Sequence, residues 1–311
     1  MQYCSRYCLT TLILLAFSAG CEEQNPIQLS NKDLGSQDLE LITETISPEV
    51  YLGTEGTPMD YVSTIPADFP PPDRRYLGQL TIAGGEFDTP TEHHESLLAR
   101  ALFMNRYTPI VVNNDTIAYE AIDVGAVHLD SLPLTRLPVS VNARTSRGLI
   151  DTILGVQYTL AKRDSAGIPA FRFAGGHLYR WHCSGSYRFS GFVTEILSPP
   201  RLHVVSPTPG DKILLSDNLL VRWEGGSSYV KIIVSDFRTL RPKPILQIRI
   251  GSNRGNVVLP SSLLQLLPRD APKFLFTFLS ETDEETRFNN YPENVSLRAV
   301  TIHSLLLEVS R

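Results

Sequence analysis

The chain has 311 residues, 42% of them hydrophobic and 20% charged, and carries a net charge of −5 at pH 7. This composition is typical of a globular protein. The acidic balance argues against a nucleic-acid partner, which calls for a basic patch, and against binding to anionic lipid through surface charge. The 22 prolines favour a β-rich or loop-rich protein over a helical one.

Residues 1–20 have the layout of a secretory signal peptide. Arg6 precedes an apolar core, Leu9 to Phe17, without any acidic residue, and small residues follow the core. This core is far too short to span a bilayer, which takes about 20 residues. No other segment of the sequence approaches that length, so we expect any lasting membrane attachment to come through lipid.

Cys21 follows Ala19 and Gly20, and a cysteine directly after two small residues resembles the lipobox of bacterial lipoproteins. The resemblance implies that the leader is cut before Cys21, that its sulfur is acylated and that the lipid holds the mature protein on a membrane. The family prefers Leu three residues before the cysteine, where this chain has Ser18. The alternative is ordinary cleavage, which would give a soluble secreted protein. Glu22, rather than Asp, favours the outer membrane and leaves the membrane face open.

The remaining cysteine and the segment after Cys21 also fit an exported chain. After loss of the leader and lipidation, Cys183 alone remains, so we expect no intramolecular disulfide. A buried small side chain is the favoured interpretation of Cys183, and a catalytic thiol is the alternative. Residues 21–75 are acidic, polar and rich in proline, which predicts a partly disordered tether. If part of it is ordered, we expect Leu39 to Val50 to pack on the first domain.

The rest of the chain predicts an all-β fold with two β-sandwich-like domains in tandem, residues 76–199 and 200–311. In the first domain, stretches that alternate at period two predict strands. One helix is expected there, over Glu92–Met104, because its apolar residues recur at spacings of three and four. In the second domain, about eight short strands predict a sandwich, with a short helix over Pro260–Leu267.

The second domain carries a resemblance of its own. Pro207 to Gly210, then Leu219-Val221-Trp223, then Tyr229-Lys231-Ile233-Ser235, resembles the opening half of fibronectin type III and related bacterial immunoglobulin-like modules. The resemblance covers about a third of the chain and implies that Trp223 packs in a sandwich core. The whole layout resembles uncharacterised surface lipoproteins, which implies an exported structural or binding role.

Histidine spacing and motif content do not indicate chemistry. His93 and His94 are adjacent, and adjacent side chains on a helix point about 100° apart. His177 and His182 differ by five, which places them on opposite faces of a strand. We therefore expect no metal site and no cofactor. The sequence has no G-x-S-x-G elbow, phosphate-binding loop or EF-hand loop, which favours a non-enzymatic protein.

Three aromatic residues, Tyr179, Trp181 and Tyr187, are the candidate ligand-binding residues. Tyr179 and Trp181 share one face of a predicted strand with His177 and Cys183. If that face is exposed, the rings could stack on sugars. If it is buried, they belong to the core, which the size and apolar area of the rings favour.

These features predict a membrane-anchored exported lipoprotein with a structural, adhesive or ligand-binding role in the cell envelope. Its partners would be the membrane, through lipid on Cys21, and an envelope protein or glycan. The alternatives are an exported hydrolase with a site in residues 76–199 and a carbohydrate-binding module. A polar cleft with clustered His and Asp would favour the hydrolase, and a free sheet edge or exposed apolar patch would favour a binding module.

Overall fold

The structure is a computed structural model that describes residues 39–41, 76–112, 115–145, 148–161, 172–238, 243–251, 253–288, 291 and 293–310. The predicted signal peptide, Cys21 and the predicted tether lie outside the described residues, apart from 39–41. Almost all of the regular secondary structure in the described residues is strand, which confirms the all-β fold class.

Eighteen strands and one short helix are formed by the described residues. They are β1 (Leu39–Leu41), β2 (Tyr76–Asp88), β3 (His93–Val112), β4 (Asp115–Ala121), β5 (Val127–Leu129), β6 (Leu132–Pro133), β7 (Thr135–Thr145), β8 (Gly148–Ala161), β9 (Leu178–Cys183), β10 (Phe192–Leu197), β11 (His203–Ser206), β12 (Lys212–Ile213), β13 (Leu219–Glu224), β14 (Val230–Asp236), β15 (Lys243–Ile250), β16 (Asn256–Leu259), α1 (Ser261–Leu264), β17 (Lys273–Arg287) and β18 (Asn294–Val309). Helix α1 confirms the predicted short helix. In the part of the chain that is described, no helix has the length and apolar character needed to cross a membrane.

The strands form three sheets. The largest has 11 strands in the order β1-β15-β14-β17-β18-β2-β3-β8-β7, with β12 also beside β18 and β4 beside β3. The second sheet is β10-β9-β5-β6 and the third is β11-β13-β16. Strand β18 pairs antiparallel with β17 on one side and parallel with β2 on the other. The large sheet therefore takes strands from both predicted segments, 76–199 and 200–311, and their division into two domains stays a prediction.

The main core lies between the four-stranded sheet and the large sheet. Tyr179, Trp181 and Cys183 point inward from β9, and they join a buried cluster with Leu80 and Ile82 of β2. Trp181, Leu80 and Ile82 are all 0% exposed. Burying an apolar side chain of this size stabilises a fold by about 1.5–3 kcal/mol relative to leaving it in water. In the third sheet, Trp223 is likewise buried, as expected.

The helix predicted over Glu92–Met104 is wrong, because this segment belongs to strand β3. Leu97 packs into the main core, whereas Leu98 points to the opposite face of the sheet and Leu102 joins a third cluster. A strand that is buried on both faces carries apolar residues without alternation. Such a run also satisfies the spacing of an amphipathic helix, which explains the error.

One part of the predicted tether is ordered, although its position differs from the expected one. Strand β1 pairs antiparallel with β15, with Leu39 opposite Ile250. Strand β15 lies in residues 200–311, so the expectation that this stretch packs on the first domain is wrong for 39–41. Strand pairing supplies partners for backbone groups that a free tether leaves to water.

A buried carboxylate joins three strands near the middle of the large sheet. Glu281 of β17 is 5% exposed, accepts a hydrogen bond from the Tyr229 hydroxyl at 2.9 Å and pairs with Lys231 and with Arg298, the latter at 3.1 Å. Burial alone would raise the pKa of Glu281, but the two cations and the hydrogen bonds outweigh burial and hold the pKa below its ordinary value of 4.5. The ionised form therefore stabilises the fold.

Replacing Glu281→Gln is expected to lower the free energy of unfolding by about 1–3 kcal/mol at pH 7, because Lys231 loses its buried counterion and Arg298 keeps only its pair with Asp283. The folded-state pKa is depressed, so this contribution is complete well above pH 4.5 and is lost as the pH falls below that value. Urea denaturation at pH 7 and pH 3 should show the difference from wild type shrinking at the lower pH.

The matched control is Glu308→Gln, which removes a more exposed ion pair between Glu308 of β18 and Lys273 of β17. We expect this change to cost about 0–1 kcal/mol. Equal costs for the two variants, or a Glu281 effect that is unchanged at pH 3, would contradict the assignment.

Candidate functional site

Strand β2 changes from apolar to polar along one face. Leu80 and Ile82 belong to the main core, Gly84 has no side chain, and Glu86 and Asp88 then occupy the same face. Glu86 is 7% exposed, and the side chain of Asp88 is 16% exposed. Two carboxylates with little exposure to solvent therefore continue a face of β2 that is otherwise apolar.

The strands on either side of β2, which are β3 and β18, change from apolar to polar at the positions that pair with these residues. Glu86 lies between Glu95 of β3 and His303 of β18, and Asp88 lies opposite His93 of β3. One end of β3, β2 and β18 thus carries titratable side chains, whereas the other end of these strands packs into the main core. The apolar residues of the preceding rows are Leu97, Ala99 and Ala101 on β3 and Val295, Leu297 and Ala299 on β18.

Residues from the start of the third sheet lie above these rows and complete a group that we call the His–carboxylate cluster. Its members are Glu86, Asp88, His93, Glu95, Arg201, His203 and His303.

His303 is the buried centre of the cluster, at 1% exposed. Its Nδ1 accepts a hydrogen bond from the backbone N–H of Val204 at 2.7 Å, so Nδ1 carries no proton in this arrangement. The proton of the neutral ring is therefore on Nε2, which donates to Asp88 Oδ2 at 2.9 Å. Burial lowers the pKa of His303 even though Asp88 favours its charged form. Thr301 Oγ1 likewise accepts a hydrogen bond from the Leu202 N–H at 3.0 Å. Side chains of β18 thus accept the backbone hydrogen bonds of residues 202 and 204 that a neighbouring strand would otherwise accept.

Asp88 is held between two imidazoles. Its Oδ2 receives the Nε2–H of His303, and its Oδ1 lies 2.5 Å from His93 Nδ1. Burial alone would raise the pKa of Asp88, but the hydrogen bonds from His93 and His303 outweigh it and hold the pKa below its ordinary value. Asp88 is therefore an oriented, ionised carboxylate at neutral pH. The side chain of His93 is 55% exposed and opens the pair to solvent.

Glu86 is held from the other side of the cluster. Arg201 forms ion pairs with both Glu86 and Glu95, the latter at 2.6 Å, and His203 Nδ1 lies 3.2 Å from Glu86 Oε2. The hydrogen bond from Arg201 lowers the pKa of Glu95. Arg201, which comes from the β11 side, therefore holds both carboxylates in place through ion pairs.

A cleft adjoins the cluster. It is lined by Glu95, Arg201 and Arg172, and by Phe173 above the two glycines Gly84 and Gly85. A methyl group on Gly84 would lie 1.9 Å from the ring of Phe173, so only glycine allows this ring to cover the sheet. The cleft thus has charged walls of both signs and an aromatic side.

Two groups within the cluster have the spacing to hold a metal ion. They are Glu86 with His203 and His303, and Glu86 with Asp88 and His93; within each group the ligand atoms lie within 4.8 Å of one another. In the second group, the spacing of His93 argued against a metal ligand, and the sequence did not indicate Glu86 and Asp88.

The candidate ligand-binding residues named from the sequence do not share a surface. Tyr179 and Trp181 are 1% and 0% exposed, whereas Tyr187 is fully exposed. Stacking on a sugar needs an accessible ring face, so the first two rings do not offer a platform. Cys183 is also buried, and burial raises the pKa of its thiol to about 11, which keeps the thiol protonated at neutral pH. Cys21 lies outside the described residues.

The cluster was missed because its pattern depends on a strand. On the predicted helix, His93 and Glu95 would diverge, whereas on β3 they share a face at positions i and i+2. The spacing Glu86-x-Asp88 followed by His93-x-Glu95 across Thr89 to Glu92 is a hairpin pattern that could have indicated the pairing. No local signal indicates that His203 and His303 join it.

Comparisons with known proteins add no identification. No protein-family model matches the chain, and a search of curated proteins finds no match.

Replacing His303→Ala should destabilise the protein by about 2–4 kcal/mol, because it opens a cavity and leaves the Val204 N–H and Asp88 without a buried partner. His303→Asn should cost less, because its amide oxygen can take over the Nδ1 acceptor role toward Val204. The measurement is urea denaturation at pH 7.

The control is His94→Ala, which removes a partly exposed histidine on the opposite face of the same strand as His93. It should change stability by no more than about 0.5 kcal/mol. Equal losses for His303→Ala and His94→Ala would show that the described contacts of His303 do not stabilise the fold.

Proposed function

We propose that this protein is an exported lipoprotein, anchored through lipid on Cys21, with a structural, adhesive or ligand-binding role in the cell envelope and no catalytic activity. The observation that carries the proposal is the lipobox-like run ending at Cys21 behind an apolar core of signal-peptide length. One acyl chain gives only marginal binding, and the diacylglycerol of the lipoprotein family meets the need for a second chain. Glu22, which follows Cys21 where Asp would retain the protein in the inner membrane, favours the outer membrane.

A free sheet edge supports a binding role over a catalytic one. Strand β7 ends the large sheet and pairs with β8 and with no other strand in the described part of the chain. An unpaired edge presents backbone N–H and C=O groups to which another extended chain can add. Exposed apolar side chains lie on β8, the partner of β7, and on the β3–β4 hairpin, with Ile153 of β8 at 72% and Tyr107 of β3 at 80%. An envelope protein is therefore the partner favoured over a glycan.

A second candidate, an exported hydrolase, is favoured by the His–carboxylate cluster and its cleft. This cluster is formed by both predicted segments, and two of its histidines lie outside residues 76–199. Both nitrogens of His303 are engaged, by Asp88 and by Val204, so this histidine has no free nitrogen to activate a nucleophile. The hydrolase therefore needs a different activating group, and it ranks second.

The anchoring proposal is tested by expressing the full chain in a lipoprotein-processing bacterium and determining the mass of its N-terminal peptide. We expect a mature chain that begins at Cys21 and carries fatty acyl chains. Cys21→Ser should abolish the lipid and release the protein from the membrane fraction, because the thioether cannot form.

The matched control is Cys8→Ser, which changes a leader cysteine and should leave both lipid and membrane association intact. A mature chain that begins elsewhere, or that begins at Cys21 without fatty chains, would overturn the proposal.

A further inference from the structure

The exposed side of the His–carboxylate cluster combines one imidazole with two carboxylates. His93 and Asp88 face each other across the β2–β3 pair, and Glu86 lies two residues before Asp88 on the same face. One ligand atom from each of the three lies within 4.8 Å of the other two. Ligands at about 2.0–2.2 Å around one ion are separated by about 3.4 Å, so side-chain adjustments suffice to bring the three atoms to one centre.

The two carboxylates are oriented by neighbouring side chains. His303 Nε2–H donates to Asp88 Oδ2, which leaves Oδ1 facing His93. Arg201 and His203 each lie against one oxygen of Glu86, and a bound ion would share one of these two oxygens. Partners of this kind, which fix a ligand without contacting the ion, typically account for ten- to hundredfold in metal affinity. The carboxylates are therefore positioned by the fold and need little ordering on binding.

The charges of the cluster suit a divalent cation. Three carboxylates, of Glu86, Asp88 and Glu95, lie in the cluster with one guanidinium, that of Arg201. Arg172 acts on Glu95 through space from the cleft side. Arg201 pairs with Glu86 and Glu95, so the excess of negative charge lies at Asp88, on the side where His93 is open to solvent.

The other possible ligand group is less suitable. It requires His303 Nδ1, and that nitrogen accepts the buried N–H of Val204 at 2.7 Å. Coordination there would leave a buried backbone donor without a partner, at a cost of about 1–3 kcal/mol. Ligation by Glu86, Asp88 and His93 keeps this hydrogen bond.

We propose that Glu86, Asp88 and His93 form a binding site for a divalent transition-metal ion of the Zn²⁺ class, with solvent in the remaining positions. An imidazole with carboxylates suits Zn²⁺ and its neighbours, whereas Ca²⁺ prefers six to eight oxygen ligands. Three protein ligands leave the ion accessible to a further ligand. The site does not depend on lipid anchoring, so it stands or falls separately from the proposed function.

The test is a calorimetric titration of the purified full chain with Zn²⁺ alone, accompanied by Co²⁺ absorption spectra. We expect one bound ion, and a cobalt spectrum without a thiolate charge-transfer band, because no cysteine belongs to the site. His93→Ala should weaken Zn²⁺ binding by about tenfold or more, and Asp88→Asn should do the same. Half-exposed His93 can be replaced with little risk to folding, which circular dichroism verifies.

The matched control is His94→Ala, which removes the adjacent imidazole from the opposite face of β3 and should bind Zn²⁺ as wild type does. Absence of Zn²⁺ binding, a thiolate band, or equal affinity in wild type and His93→Ala would each overturn the proposal.

Discussion

The parallel pairing of β18 with β2 is the contact on which the rest of the structure depends. These strands are separated by about 200 residues, yet they run side by side from Asn294 to Leu305 and from Tyr76 to Asp88. Because β18 also pairs along its whole length with β17, it joins strands of both predicted segments into one sheet. The hydrogen-bond register of this pairing places His303 beside Glu86, so it fixes the position of the candidate site as well as the fold.

The same three strands serve two purposes along their length. At one end, their inward face buries apolar side chains against Trp181 and its neighbours in the four-stranded sheet. At the other end, that face has no apolar layer to meet and carries carboxylates and histidines under β11. Gly84 marks the change, because the ring of Phe173 lies where a side chain would stand. Each buried polar group there is hydrogen-bonded or ion-paired, which is what makes its burial tolerable.

The sequence predicted what local patterns determine. Period-two alternation and turn residues indicate an all-β chain, Trp223 is buried as predicted, and α1 lies within the predicted helix. Strand β3 was misassigned because both of its faces are buried, which removes alternation from Leu97 to Met104. The β2–β18 pairing could not be predicted from the sequence, since it depends on contacts between distant segments. The candidate site follows from that pairing, and for this reason adjacent His93 and His94 gave no indication of it.

Strand β18 places His303 between the Val204 amide and Asp88 and thereby assembles the cluster. Long-range ¹H–¹⁵N spectra of the imidazoles of the full chain, with His303 assigned from the His303→Asn variant, measure this directly. We expect a neutral ring at pH 7 with its proton on Nε2 and an unprotonated Nδ1. A His303 ring with its proton on Nδ1, or one that exchanges between protonation states like an exposed imidazole, would contradict it.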